Sequence, residues 1–180
     1  MPRARRKHRK LFFAILPDAL IAEAIASGAK YLDKSLGIGG HLLRADRLHI
    51  TLHVIGEYDE TPEADVIAAR KAGDAVVADA FELEFDRAMT FLAPKAYVLR
   101  VGDGLDKVDA FWLNLGMEIA NVRPFKKQPF TPHMTLSYNG RPMLEHAIEP
   151  IRWTAQEFVL INSHVGETYH EVMGRWRLQA

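Results

Sequence analysis

HITLHVIG, residues 49–56, alternates apolar and polar side chains and stops at a glycine. That is the pattern of a strand with one buried face. HMTLSYNG, residues 133–140, repeats it: His, an apolar residue, Thr, Leu, three variable positions, Gly. A chain that carries one strand phrase twice is expected to fold as two similar lobes facing each other. Ile50 and Leu52 point to a core in one lobe, Met134 and Leu136 in the other. His49 and Thr51, and likewise His133 and Thr135, share the opposite face, neighbours along each strand being roughly 6.5–7 Å apart. The same alternation carries His53 onto the face of His49, half exposed or at the rim of a site.

The rest of the chain builds outward from these phrases. Residues 11–16 read as a short apolar strand closed by Pro17-Asp18. Asp18 then caps a helix to about residue 36. Leu20, Ala24 and Tyr31, with Ile21, Ile25 and Leu32, recur on it at helical spacing, and Gly37, Gly39 and Gly40 end it. Residues 47–55 are the first motif strand, stopped by Gly56. Thr61-Pro62-Glu63 opens a second helix to about residue 78, with Val66, Ala69, Gly73, Val76 and Val77 inward. Residues 81–92 and 96–101 are strands joined by Ala93-Pro94-Lys95. A third helix spans about 105–121, with Val108, Phe111, Trp112, Leu115 and Ile119 as its apolar stripe. A connector rich in Pro and Lys fills 124–132, and the second motif strand is 133–138. Residues 156–164 and 169–178 close the chain as an antiparallel pair. The order β-α-β-α-β-β-α-β-β-β predicts an α+β fold with mainly antiparallel sheets flanked by helices. One bilobal domain over residues 1–180 is expected, its two motif strands facing a central cleft.

Composition narrows the chemistry. The chain is 48% hydrophobic and 26% charged, enough to bury a core. Its net charge is zero, which argues against a uniformly basic surface for duplex DNA but leaves room for a local basic cleft. It has no cysteine, so disulfides, thiolate metal sites and a cysteine nucleophile are ruled out, and a reducing cytoplasm fits. The basic start MPRARRKHRK is followed by only six apolar residues, too few for a secretory or membrane segment. Residues 1–9 read as a flexible basic arm, with contact to RNA phosphates as its functional alternative.

Two strand-borne histidines suit phosphoryl transfer. In-line displacement needs a base on the entering oxygen and an acid on the leaving oxygen, at opposite ends. Imidazoles, with an ordinary pKa near 6.5, can take either part. The Thr51 and Thr135 hydroxyls can donate to non-bridging phosphate oxygens. A lone His or Thr on a strand is ordinary structure; two matched His-x-Thr-Leu phrases argue for a catalytic pair. A zinc site is the weaker functional alternative, since neither phrase holds a carboxylate. No metal or other cofactor is required.

These residues resemble the two-histidine (2H) phosphoesterase superfamily, and within it the RNA 2′,3′-cyclic phosphodiesterases historically called 2′-5′ RNA ligases. KLFFAILP (10–17) is similar to the family's first strand. PFTPHMTL (129–136) resembles the approach to its second motif, and FVLINSHVGETYHEVMGRWRL (158–178) its closing hairpin. The resemblance implies two α+β lobes related by a pseudo-twofold. It implies His49 as proton donor, His133 as base, and Thr51 and Thr135 as phosphate ligands. The implied reaction opens an RNA-terminal 2′,3′-cyclic phosphate to a 2′-phosphate, with 2′-5′ ligation as its reverse. Many members carry Arg five residues after the second His, where this chain has Tyr138. Tyr138 is thus a substrate-binding candidate, and Arg123, Lys126, Lys127 or Arg141 could supply the charge. Phe12 could stack a base, although core is its plainer reading. Ser163, His164, Tyr169 and His170 read as hairpin surface, with contact to substrate by one of them as the alternative, and Trp112, Trp153 and Trp176 as core or core edge. Expected substrates are RNA ends or small cyclic nucleotides, handled by a monomer away from any membrane. Alternatives are phosphodiester cleavage in another small cyclic nucleotide or a 2′-5′ oligonucleotide, and a non-catalytic RNA-end-binding module.

Overall fold

Each half of the chain lays four strands around its own His-x-Thr segment. The computed structural model describes residues 8–126 and 128–180. The order is β1 (His8–Ile15), α1 (Ala19–Leu36), β2 (His41–Leu42), a 3-10 turn (Ala45–Arg47), β3 (Ile50–Tyr58), α2 (Glu63–Ala75), β4 (Phe81–Leu92), β5 (Lys95–Val101), α3 (Leu105–Val122), β6 (His133–Tyr138), β7 (His146–Ala155), β8 (Glu157–Val165) and β9 (Tyr169–Arg177). All pairings between these strands are antiparallel. They form one nine-stranded sheet in the order β7-β4-β5-β6-β3-β1-β8-β9, with β2 added on β6. Read from the centre, β6-β5-β4-β7 mirrors β3-β1-β8-β9, so the motif strands are innermost in both halves. The halves join side by side through one residue pair, Ile50 and Met134, both fully buried.

The two faces of the sheet differ. Leu11, Phe13, Ile15, Ile50, Leu52, Met134 and Leu136 point to the face covered by helices. There they meet Ile25, Ala26 and Ala29 of α1, Ala69 and Ala72 of α2, and Val108, Phe111, Trp112, Leu115 and Ile119 of α3 in one cluster. Burying such side chains is worth about 1.5–3 kcal/mol each for Leu, Ile, Val or Phe, and it fixes which way the motif strands face. Phe12, Ala14, Val159 and Ile161 form a separate small cluster on the other face. The helix signals work as expected at α1: Asp18 accepts a hydrogen bond from the Ile21 N–H at 2.9 Å, and Gly37 ends the helix at φ 61°, where a Cβ would be strained.

Several sequence expectations change. β1 begins at His8, so His8 and Arg9 belong to a strand rather than to a basic arm, paired with Val165 and Tyr58. The remainder of that arm, residues 1–7, lies outside the described residues. Gly56 does not end β3, which runs on to Tyr58 against Arg9. On α1 the Leu20, Tyr31 row faces solvent, and the buried face is Ala22, Ile25, Ala26 and Ala29. Small alanines let this helix sit close to the sheet, and the large side chains Leu20 and Tyr31 lie on the face that also carries Glu23, Lys30 and Lys34. Val77 lies beyond the end of α2 and is exposed. β7 has no counterpart in the sequence reading. Its Pro150 argues against a strand, but β7 is the sheet's edge, and Pro150 sits at the irregularity where Phe85 pairs Ile151 and Arg87 pairs Ala147. No helix among the described residues is long and apolar enough to cross a membrane.

Candidate active site

His49 immediately precedes β3, and His133 opens β6. Ile50 pairs with Met134. Continuing that antiparallel register by one residue sets His49 beside Thr135 and Thr51 beside His133. Both histidines and both threonines therefore gather on the sheet face opposite Ile50 and Met134. Neither threonine hydroxyl makes a hydrogen bond to another described residue, which leaves both available to a ligand.

The two imidazoles are held in the same way. His49 Nδ1 lies 2.7 Å from the carbonyl of Arg47, and His133 Nδ1 lies 2.7 Å from the carbonyl of Thr131. A carbonyl only accepts, so Nδ1 carries the hydrogen in each ring. In the neutral ring Nε2 is then the bare, basic nitrogen. Burial pushes His49 down to about 4; the Arg47 carbonyl opposes this, and the charges of Arg47, His133 and Lys10 add to the depression. Burial also lowers His133, with the Thr131 carbonyl opposing it and the Arg100 guanidinium reinforcing it. Both rings are thus neutral at neutral pH in the unliganded protein.

A bulge follows each motif. On β3, Thr51 pairs Ala14 and Val54 pairs Phe12, so three steps on β3 match two on β1. On β6, Thr135 pairs Val98 and Ser137 pairs Tyr97, two steps against one. One extra residue after each Thr turns the next residue inward and reverses the alternation beyond it. His53 and Ser137, at the same offset from their histidines, are both buried as a result. This overturns the expectation that His53 shares the face of His49. Its Nε2 donates to the carbonyl of Trp112 at 2.8 Å, and its ring stacks on Trp112 at 4.7 Å. Gly116 permits this, because a Cβ there would come within 3.1 Å of His53 Nε2. Trp112 Nε1 donates back to the Leu52 carbonyl at 3.0 Å. His53 is a fastener between β3 and α3. One residue further on, Val54 packs with the small cluster on the site face. Tyr138, at the matching offset on β6, is 37% exposed, and its phenol acts electrostatically on Arg47.

Other side chains complete the walls. Phe12 is only 3% exposed, with its ring 5.2 Å from His49 and 5.8 Å from His170. It walls in the imidazole, as the core reading expects, and its burial leaves little of the ring exposed for stacking a base. His170 closes the triangle at 5.3 Å from His49. It is not hairpin surface: β9 pairs Ser163 with His170 and brings it over β1. Burial, then His49 and Arg47, push His170 down to about 3, against a small opposing effect of Asp46. His133 instead meets Phe91 at 4.9 Å and has Arg100 beside it in register. A groove of about 510 Å³, lined by Met89, Phe91, Leu92, Pro142 and Glu145 among others, lies beside Phe91.

The cations suggested by the sequence are elsewhere. Arg123 pairs with Asp65 at 3.3 Å, Arg141 donates to the Leu36 carbonyl at 2.6 Å, and Lys126 is exposed. Lys127 lies outside the described residues. Arg47 and His170 are the site neighbours that sequence reasoning missed. For Arg47 a signal existed, since it stands two residues before His49 on the same parity. For His170 none did, because only the β1-β8-β9 pairing brings it in. Among the described residues, no three or more His, Cys, Asp or Glu side chains gather as a metal site would require.

Comparison with known proteins agrees with this geometry. A search of the curated proteins finds no match. The chain is similar to Escherichia coli LigT solved with 3′-AMP, at 26% identity and a TM-score of 0.75, over 96% of this chain and 99% of LigT. LigT has also been solved with ATP and with phosphate. A solved phosphoesterase is similar at 25% identity and a TM-score of 0.72, over 96% of this chain and 99% of that one. TT0787 of Thermus thermophilus shares the fold at 20% identity and a TM-score of 0.67, over 95% and 98% of the two chains. The family model described as the 2′-5′ RNA ligase superfamily matches residues 17–167. With most of its length matched by that model, the chain belongs to the 2′-5′ RNA ligase superfamily of two-histidine phosphoesterases.

Proposed function

We propose that this protein hydrolyses an RNA-terminal 2′,3′-cyclic phosphate to a 2′-phosphate without a metal, using His133 as base and His49 as acid. The observation that carries the reading is the matched pair of imidazoles, each with Nδ1–H tied to a backbone carbonyl and Nε2 left for substrate. His133 Nε2 takes a proton from water as the water oxygen bonds to phosphorus. The bond from phosphorus to O3′ breaks, and His49 Nε2–H gives its proton to O3′. The product carries a 2′-phosphomonoester and a free 3′-hydroxyl. Solvent then returns the proton from His133 to His49. Thr51 and Thr135 donate hydrogen bonds to the non-bridging oxygens, where negative charge grows. The path run backwards, with a 5′-hydroxyl as nucleophile, is 2′-5′ ligation.

The unliganded acid poses a question that substrate can answer. With its pKa about 4, His49 is protonated in roughly one molecule in a thousand at pH 7. An anionic phosphate within about 4–6 Å favours the charged ring. Substrate therefore charges its own acid. The test is to incubate the protein, in chelator, with a short RNA bearing a cyclic end, beside cyclic mononucleotides and a 2′-5′ dinucleotide. The proposal expects ring opening to a 2′-phosphate, and loss of turnover in His49→Ala and His133→Ala. Full turnover in His133→Ala, or binding of the cyclic end with no opening, would sink it.

A further inference from the structure

Arg47 is the charged group of the site that the two-histidine chemistry does not use. It sits on the 3-10 turn before β3, and its carbonyl is the oxygen that holds His49 Nδ1 at 2.7 Å. Its side chain is partly buried, and Nη1 is shielded from solvent with no hydrogen-bond partner among the described residues. Asp46 acts on Arg47 through space but gives its hydrogen bonds to Arg44, accepting from Nε at 2.9 Å and from Nη2. The charge of Arg47 reaches His49 and His170, and the Tyr138 phenol acts on it from the other half. A buried donor left unpaired carries its full desolvation cost, the more so when charged. Such a donor points to a ligand that completes it.

Arg100 is the natural comparison. It stands beside His133, and its Nε is also buried and unpaired. Its guanidinium, however, has partners within the fold: Nη1 contacts Met89 Sδ at 3.3 Å and Glu145 at 3.9 Å, and the group lies over Phe91 at 5.7 Å. With the imidazoles neutral, and Asp46 acting on Arg47 only through space, Arg47 leaves its corner of the site with a guanidinium that no carboxylate hydrogen-bonds among the described residues. The ligand it fits is an anion with oxygen acceptors, held against His49.

We propose that Arg47 grips the non-bridging oxygens of the substrate phosphate, anchored through the same turn that fixes His49. This rests on the function proposed above. The guanidinium fork can meet two phosphate oxygens at once, which a lysine cannot reproduce.

The test is calorimetric titration of the full chain with inorganic phosphate and with adenosine 2′-monophosphate. Wild type is compared with Arg47→Met, Arg47→Gln and Arg47→Lys, and with Arg70→Met, an exposed arginine on α2, as the control. Melting temperatures identify variants that fold. Arg47→Met and Arg47→Gln are expected to weaken binding at least about tenfold, Arg47→Lys less, and Arg70→Met not at all. In turnover KM should rise more than kcat falls. The limb of the kcat/KM profile that belongs to His49 should move to higher pH in both neutral variants, because one positive charge beside it is gone. Arg47, Lys10, His133 and His170 face that ring, and Asp46 acts on His170; all but Arg47 are the same in wild type and variants, so the difference between their profiles reports the lost guanidinium. A role confined to holding the turn would not move this limb. Wild-type affinity in a folded Arg47→Met or Arg47→Gln chain overturns the proposal, as does a wild-type chain that binds neither anion. If wild type binds the anions but opens no cyclic phosphate, the enzymatic reading fails while the binding comparison still decides the role of Arg47.

Discussion

His49 is walled in by Phe12 and His170, whereas His133 meets Phe91 at one edge with Arg100 beside it. The backbone plan is the same in both halves: an imidazole tied to the carbonyl two residues back, a threonine two residues on, then a bulge. The difference lies in what the neighbouring strands bring. On the first half, β9 reaches over β1 and places a third imidazole against His49. On the second half, the edge strand β7 leads away, and a groove of about 510 Å³ opens beside Phe91. Repetition of a motif thus fixes how the two imidazoles are held, while their surroundings set how hard each is to charge. His49 is driven to about 4 chiefly by burial, so in the proposed reaction it is the ring that needs the substrate's own charge to serve as acid.

The largest expected effects test whether the halves act as one machine. His49→Ala and His133→Ala should each lower kcat about 10²–10⁴-fold in a cyclic-phosphate assay. Because both act in one displacement, the double variant should be little worse than the slower single one. Thr51→Val and Thr135→Val should each cost on the order of ten- to a hundredfold in kcat. Equal losses would mean that both halves stabilise the same charge. A loss at one threonine alone would break the symmetry of the account.

The pH profiles sharpen the comparison next. In the free enzyme His49 must gain a proton and His133 must lack one, and both are lowered from 6.5. The kcat/KM optimum should therefore lie below pH 6.5, falling as pH rises because His49 loses its proton. In the kcat profile that alkaline limb should lie at higher pH, because bound phosphate raises His49. The folded chain should also lose stability as pH falls below 6.5. His49, His53, His133 and His170 are all depressed by burial, so the unfolded chain binds more protons there. Thermal melts from pH 7 to 5 should show a falling Tm.

The smallest effects belong to the paired positions just beyond the bulges. His53 donates to the Trp112 carbonyl and stacks on the Trp112 ring, and His53→Leu removes that link between β3 and α3. About 0.5–1.5 kcal/mol of stability should be lost with the hydrogen bond, with kcat kept in the folded fraction. The Ser137 hydroxyl has no partner among the described residues, so Ser137→Ala should be neutral or slightly stabilising in denaturant melts.

What the sequence made legible follows from where local pattern decides. The α3 stripe was readable residue by residue, because five apolar side chains at helical spacing face a single cluster. The limits of β4 and β6 were readable for a similar reason, each being bounded by turn residues. The four His and Thr positions were legible because the phrase repeats. A bulge leaves no mark in a strand that still alternates, so His53 was assigned to the wrong face. β7 was hidden by Pro150, which an edge strand tolerates and a central one does not. His170 was hidden because its proximity to His49 is a product of strand pairing, with no local sign.

The most direct measurement follows the phosphorus of a short RNA carrying a 2′,3′-cyclic end, in chelator, with wild type and both His→Ala chains. The account predicts a 2′-phosphate end from wild type and no appreciable product from either variant. A 3′-phosphate product would reverse the leaving group assigned to His49. Turnover that survives the loss of His133 would contradict the two-histidine mechanism itself.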